Sequence, residues 1–298
     1  MAGFDYVESV VESLGAIKDR EMLFWAGIEV AVSALWLAFA VALFFFFNIP
    51  SGQGGKAAFF SLAAISLAVE LVAMKYAYMR LSMRALGMSG YRYREGAANF
   101  IYYLAAGIKA FMAQAFTWYD KKYFAAFAVC GLTTVALLAG AWSVTDIWAK
   151  AALILAGSVI FIAGALVYAL GFFYHEVRLI AAPIFYLQYA QNPLSVPRAV
   201  WDMGRGKTTH CASVLIVGWA IIQVAVQFLS GLGAIFGTPF LLVSAMLAGT
   251  KAHDPFYAAS AGIVLVFSIA AWMATRIFGA RYQVALLRSL DPNFRTGG

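Results

Sequence analysis

The sequence predicts an all-α, polytopic membrane protein: a bundle of six membrane-spanning helices with amphipathic helices lying at the interface. Three observations carry this. First, 63% of the residues are hydrophobic and only 12% charged, against about 45–50% and about 25% in soluble domains. Second, the mean hydropathy is +0.81, and the apolar residues fall in runs of roughly 20 or more, enough to cross a hydrocarbon core about 30 Å thick. Third, the 21 lysines and arginines lie mostly between those runs. The net charge of +7 therefore reads as membrane topology, and nucleic acid is not an expected partner.

The elements follow in chain order. In FDYVESVVESLGAIK, residues 4–18, Phe4, Val7, Val10, Val11, Leu14 and Ile17 recur at helical spacing between Asp5, Glu8 and Glu12, the pattern of an interfacial amphipathic helix. This acidic start and the length of the next apolar run argue against a cleavable signal peptide. The first span covers about 22–47 and ends in FFFFNIP; SGQGG at 51–55 has the glycines of a tight reversal. The second span covers about 58–79, with Arg80, Arg84, Arg92 and Arg94 after it. Residues 95–119 are long enough to cross, yet carry Glu95, Asn99, Lys109 and Gln114. Spans at about 123–142 and 150–174 are joined by SVTDIWAK, and a polar, proline-bearing section runs from His175 to His210. A full span reaches from 211 to about 232. The apolar residues after it, to 249, include Pro239 and either extend the helix or fold back, because 14 residues reach only about 21 Å. The last span is about 257–279.

Charge decides whether 95–119 crosses. If it does not, six spans leave only Lys56, Lys150 and Lys251 on one side and the other eighteen of the 21 basic residues with the termini. If it does, and Lys109 is set aside as buried in the bilayer, the split is nine to eleven. Basic residues favour the cytoplasm, so six spans are expected, in the cell membrane, with both termini cytoplasmic. The chain reads as one integral membrane domain over 1–298, with hairpin units at roughly 4–94, 95–190 and 191–298. In each unit a partly amphipathic segment and charges precede an apolar hairpin, which ends in Arg80, Arg178 or Arg281. Parallel repeats of this kind occur in transporters and in scaffolds.

This layout resembles archaeal and bacterial six-helix membrane families, among them the membrane domain attached to some glycerophosphodiester phosphodiesterases. The resemblance implies a fold. It transfers no catalytic residue, since the phosphodiesterase domain itself has no counterpart in this sequence.

Few residues point to chemistry. In DMGRGKTTH, 202–210, the GKT echoes a phosphate-binding loop, but Trp201 stands where GxxxxGK[ST] needs glycine. Arg205 and Lys207 are instead expected to meet anionic lipid headgroups. His175, Glu176 and Arg178 form a charged cluster at a helix end, read as a juxtamembrane salt-bridge network. No metal, cofactor or catalytic set is expected. Cys130 and Cys211 read as free thiols. Gly157, Gly164 and Gly171 recur seven apart on one helix face and signal close packing, inside the bundle or between subunits. Gln223 and Gln227 lie one turn apart and either line a groove or bond to a neighbouring helix. Among intramembrane charges, Lys75 is shallow enough to snorkel. Glu29 and Glu70 (about 14 Å deep) must be neutralised, paired or wetted. Five positions apart, Glu70 and Lys75 do not face each other on a helix. The expected function is a structural or accessory membrane subunit, associated with lipid, with other proteins or with copies of itself. A small transporter using Glu29, Glu70 and Gln223 is the alternative, and a lipid-modifying enzyme a further one.

Overall fold

The structure, a computed structural model, describes residues 5–47, 53–88, 93–189, 192–248 and 253–291. Among these residues all regular structure is helical: α1 (Tyr6–Gly15), a 3-10 turn (Ala16–Lys18), α2 (Arg20–Phe47), α3 (Gln53–Ala85), α4 (Tyr93–Ala115), α5 (Lys122–Ser143), α6 (Ile147–Leu179), α7 (Ala182–Tyr189), α8 (Val196–Met203), α9 (Thr208–Met246) and α10 (His253–Leu290). Six of them, α2, α3, α5, α6, α9 and α10, are long and apolar enough to cross a membrane. The protein is a six-span helical membrane bundle, and α4 is not one of the spans. Helices such as the 33-residue α3 and α6 reach about 50 Å and so project beyond the hydrocarbon core. The stretch after residue 232 extends its helix: α9 runs unbroken for 39 residues with Pro239 inside it. The first reversal, 51–55, and the basic residues Arg92, Lys251 and Arg295 fall wholly or partly outside the described residues.

The chain forms two compact units, residues 1–100 with 213–298, and residues 101–212. In the first, α10 packs on α1, α2 and α3. Its core lies where α2 begins and where α3 and α10 end: Met22, Trp25, Met79, Leu81, Ile277 and Leu287 are all buried there. Toward the other end, Leu35, Phe60, Ile65, Val264 and Leu265 are exposed, as suits a lipid-facing surface. Gly233 and Gly237 bring α9 against Phe267 and Ser260 of α10. Gly87, at φ +78, closes α3, and the Met88 N–H donates to the Met83 carbonyl at 3.1 Å, the bond pattern of a Schellman ending.

In the second unit, α5 and α6 form a close hairpin. Gly157, Gly164 and Gly171 are all buried. A Cβ at Gly164 would collide with Cys130, and one at Gly171 with Tyr123. Thr134 Oγ1 donates across to the Gly157 carbonyl at 3.1 Å. The glycine face is thus spent inside the hairpin. Between α4 and α5, Thr117 is fully buried at φ +43, a left-handed conformation unusual for a β-branched residue.

The interfacial helices α1 and α4 share one design. In α1, Ser13 and the following Ala16 are buried, while Val7, Val11 and Leu14 are exposed along one stripe. In α4, Ala106, Ala110 and Ala113 are buried while Ile101, Ile108 and Phe111 are exposed. Apart from the buried Tyr103 of α4, small residues face the protein and large apolar ones face outward, the reverse of a soluble amphipathic helix and the arrangement for a helix lying in the headgroup–acyl boundary.

Candidate functional site

The main charged site lies in the first unit, where α2, α3 and α10 meet. Asp19 sets the start of α2. Its Oδ1 accepts from the N–H groups of Glu21 (2.9 Å) and Met22 (3.3 Å), as an N-cap does. Its Oδ2 accepts from Arg84 Nε at 2.9 Å. Burial pulls the Asp19 carboxyl up, but the Arg84 hydrogen bond, the two backbone donors and the Arg84 charge outweigh it and hold the group below its ordinary value. Ten residues after Asp19, about 15 Å by helix rise, Glu29 is fully buried. Its Oε1 accepts from Arg276 Nη2 of α10. The guanidinium lies 5.2 Å from the Tyr78 ring centre and 5.3 Å from that of Trp272. Tyr78 in turn donates to Gln283 Oε1 at 3.2 Å. Glu29 Oε2 and Arg276 Nε are enclosed without a hydrogen-bond partner among the described residues. Lys75 is exposed, yet close enough to act on Glu29 electrostatically.

The sequence did not pair Glu29 with Arg276. Arg276 is one of the eighteen basic residues that the charge count places with the termini, and the two residues stand 247 positions apart. The pairing uses the charges to hold the first hairpin to the last helix. Nearby, Glu12 of α1 reaches Arg281 (3.8 Å) and Arg288 (3.4 Å) of α10, so α1 is tied to the same helix.

The second unit carries a different cluster. His175 is fully buried and Arg178 is 4% exposed. The Arg178 guanidinium sits 3.7 Å from the Trp201 ring centre of α8. It donates to Tyr174 Oη at 2.9 Å and to the Trp201 carbonyl. His175 stacks on Trp201 at 4.6 Å, and Trp201 on Tyr119 at 4.9 Å. His175 Nδ1 bonds to the Gly171 carbonyl at 2.8 Å. The expected salt-bridge network among His175, Glu176 and Arg178 is therefore replaced by an aromatic box. Arg178 exchanges a carboxylate for ring faces, which a planar, weakly hydrated guanidinium accepts. Gly204 makes room, since a Cβ there would come within 3.3 Å of Arg178 Nε. Glu176 is half-buried outside this box, Arg205 is exposed and Lys207 half-buried. Buried as they are, His175 and Arg178 do not join Arg205 on a lipid-facing surface. Burial also raises the Tyr119 hydroxyl, with Arg198 opposing and Asp202 adding to the shift. Trp201 and Tyr119 were missed; the proline and buried apolar face of α8 were the available signal.

The remaining candidates stand apart. Glu70 is half-buried, and among the described residues no hydrogen bond or ion pair reaches its carboxylate. Gln223 is half-buried and Gln227 exposed on α9, likewise without a hydrogen bond among the described residues. Cys130 and Cys211 are free thiols. No group of three or more potential metal ligands gathers among the described residues. A shallow groove of about 620 Å³ runs along α3, lined by Ile65, Ala68, Val69, Val72, Ala73, Tyr76 and Phe100. It is apolar throughout, and Glu70 does not line it.

No family model, curated protein or solved structure matches this chain.

Proposed function

We propose that the protein is an accessory or structural integral membrane protein, a subunit or scaffold that works through lipid and protein contacts, with both termini in the cytoplasm. The observation that carries this reading is the closure of one deep charge: Glu29 is fully buried against Arg276. A group locked in this way holds helices together and is poorly placed to bind and release an ion. The outward apolar stripes of α1 and α4 suit the same role by spreading the protein along the membrane surface. Anionic headgroups are the lipid partners that the basic loops favour. The test is purification in mild detergent with identification of what accompanies the protein. A stoichiometric protein partner or a retained anionic lipid is the expected result.

The transporter reading keeps one supporting observation, that Glu70 has no hydrogen bond or ion pair among the described residues. Reconstituted vesicles decide between the two readings. Absence of ion or proton flux supports the accessory role. Flux that Glu70→Gln abolishes would replace it with transport.

A further inference from the structure

We infer that α9 is the seam of a homodimer, held by the side-chain amides of Gln223 and Gln227. Gln227 is the twentieth of the 39 residues of α9, with about 28 Å of helix on either side, so a hydrocarbon core about 30 Å thick includes it wherever along the helix that core falls. It is exposed, and Gln223 one turn away is half-buried. Neither makes a hydrogen bond among the described residues. The face of α9 that packs on α10 is marked by Gly233 and Gly237; Gln227 lies about 80–120° around the helix from it, and Gln223 lies on the flank between. Lipid tails offer no donor or acceptor, so an amide held at this depth gains by finding a polar partner.

The chemistry selects a second copy of this chain. A carboxamide carries both donors and an acceptor and so complements itself. All copies insert with the same orientation, so a two-fold axis between them runs along the membrane normal. That axis sets each glutamine at the depth of its own counterpart, the self-matching contact that such symmetry requires. Ala220, Ser230 and Ala234, all exposed on the same side, are small enough to let two helices approach. This seam would form whatever the protein's wider role, so it goes beyond the accessory reading and fails separately from it.

The test uses the full chain in lipid vesicles, with subunits counted by single-molecule photobleaching. The wild type should be mainly dimeric, and Q223L/Q227L should associate about tenfold or more weakly. Replacing an exposed amide by leucine suits a lipid-facing helix, and a circular-dichroism melt checks that the fold persists. An independent variant avoids that question. In a chain with Cys130 and Cys211 changed to alanine, Gln227→Cys should give a covalent dimer under mild oxidation, while Ile235→Cys, on another side of α9, should not. A wild type that is monomeric at every protein-to-lipid ratio overturns the proposal. So does a dimer that survives the double substitution, or one in which the two cysteine variants crosslink equally. If the double substitution loosens the fold with no change in subunit number, the amides serve a contact within the chain and the proposal falls.

Discussion

The two ends of the Glu29–Arg276 pair are unequally placed, since the side chains are 1% and 33% exposed respectively. Removing either one should therefore not have the same effect. Arg276→Met strands a buried carboxylate and should destabilise the protein by about 3–5 kcal/mol. Glu29→Gln leaves a cation that can reach toward the interface and should cost less, about 1–3 kcal/mol. The double variant Glu29→Leu with Arg276→Met should recover part of the larger loss, because an apolar replacement of a buried pair is often tolerated. Denaturation in detergent measures all three, and equal losses for the two single variants would refute the asymmetry. Asp19 gives a pH prediction. Its folded-state pKa is depressed by Arg84 and the helix N–H groups, so its contribution is full above the unfolded value, about 3.9, and disappears as pH falls through the lower folded value. Melting temperatures recorded from pH 5 downward should fall more steeply for the wild type than for Asp19→Asn, and parallel curves would count against it.

Among elements, the α5/α6 hairpin is the clearest case in which spacing was readable. Three glycines seven apart on a single helix mark one face, whatever that face meets. What the sequence could not grade is how tightly each is held. Gly171 and Gly164 have no room for a methyl group, Gly157 would meet Thr134 and Leu137 at an ordinary 3.7 Å, and Gly140 faces open space. Alanine at 171 or 164 should therefore destabilise by about 1–3 kcal/mol, at 157 by much less, and at 140 hardly at all. A detergent melting series tests the order; similar losses at 140 and 171 would sink it. The interfacial helices were half legible. The recurrence of Val7, Val11 and Leu14 predicted an amphipathic α1, but not that Ser13 and Ala16 would be the inward side. Hydrophobic periodicity shows that two faces differ. Which one meets the protein depends on whether the surroundings are water or lipid.

For the molecule as a whole, the span count was legible because each span is a local property of about twenty consecutive residues, and the basic loops settled 95–119. The candidate sites were much less so. Arg178 and Trp201 meet through a ring face, and Glu29 and Arg276 through a fold that returns after 247 positions. No spacing rule spans such separations. Glu70 was legible as an anomaly and remains one. That long return also imposes an order of events during synthesis. Chains emerge at about 5–20 residues per second, so Glu29 is made roughly 12–50 s before Arg276. Through that interval Glu29 is without its Arg276 partner, and its carboxyl needs water or another polar group in its place. The ribosome therefore delivers the stabilising charge with the final helix, and a chain arrested before residue 276 would leave an unsatisfied acid by which quality control could tell it from the finished protein.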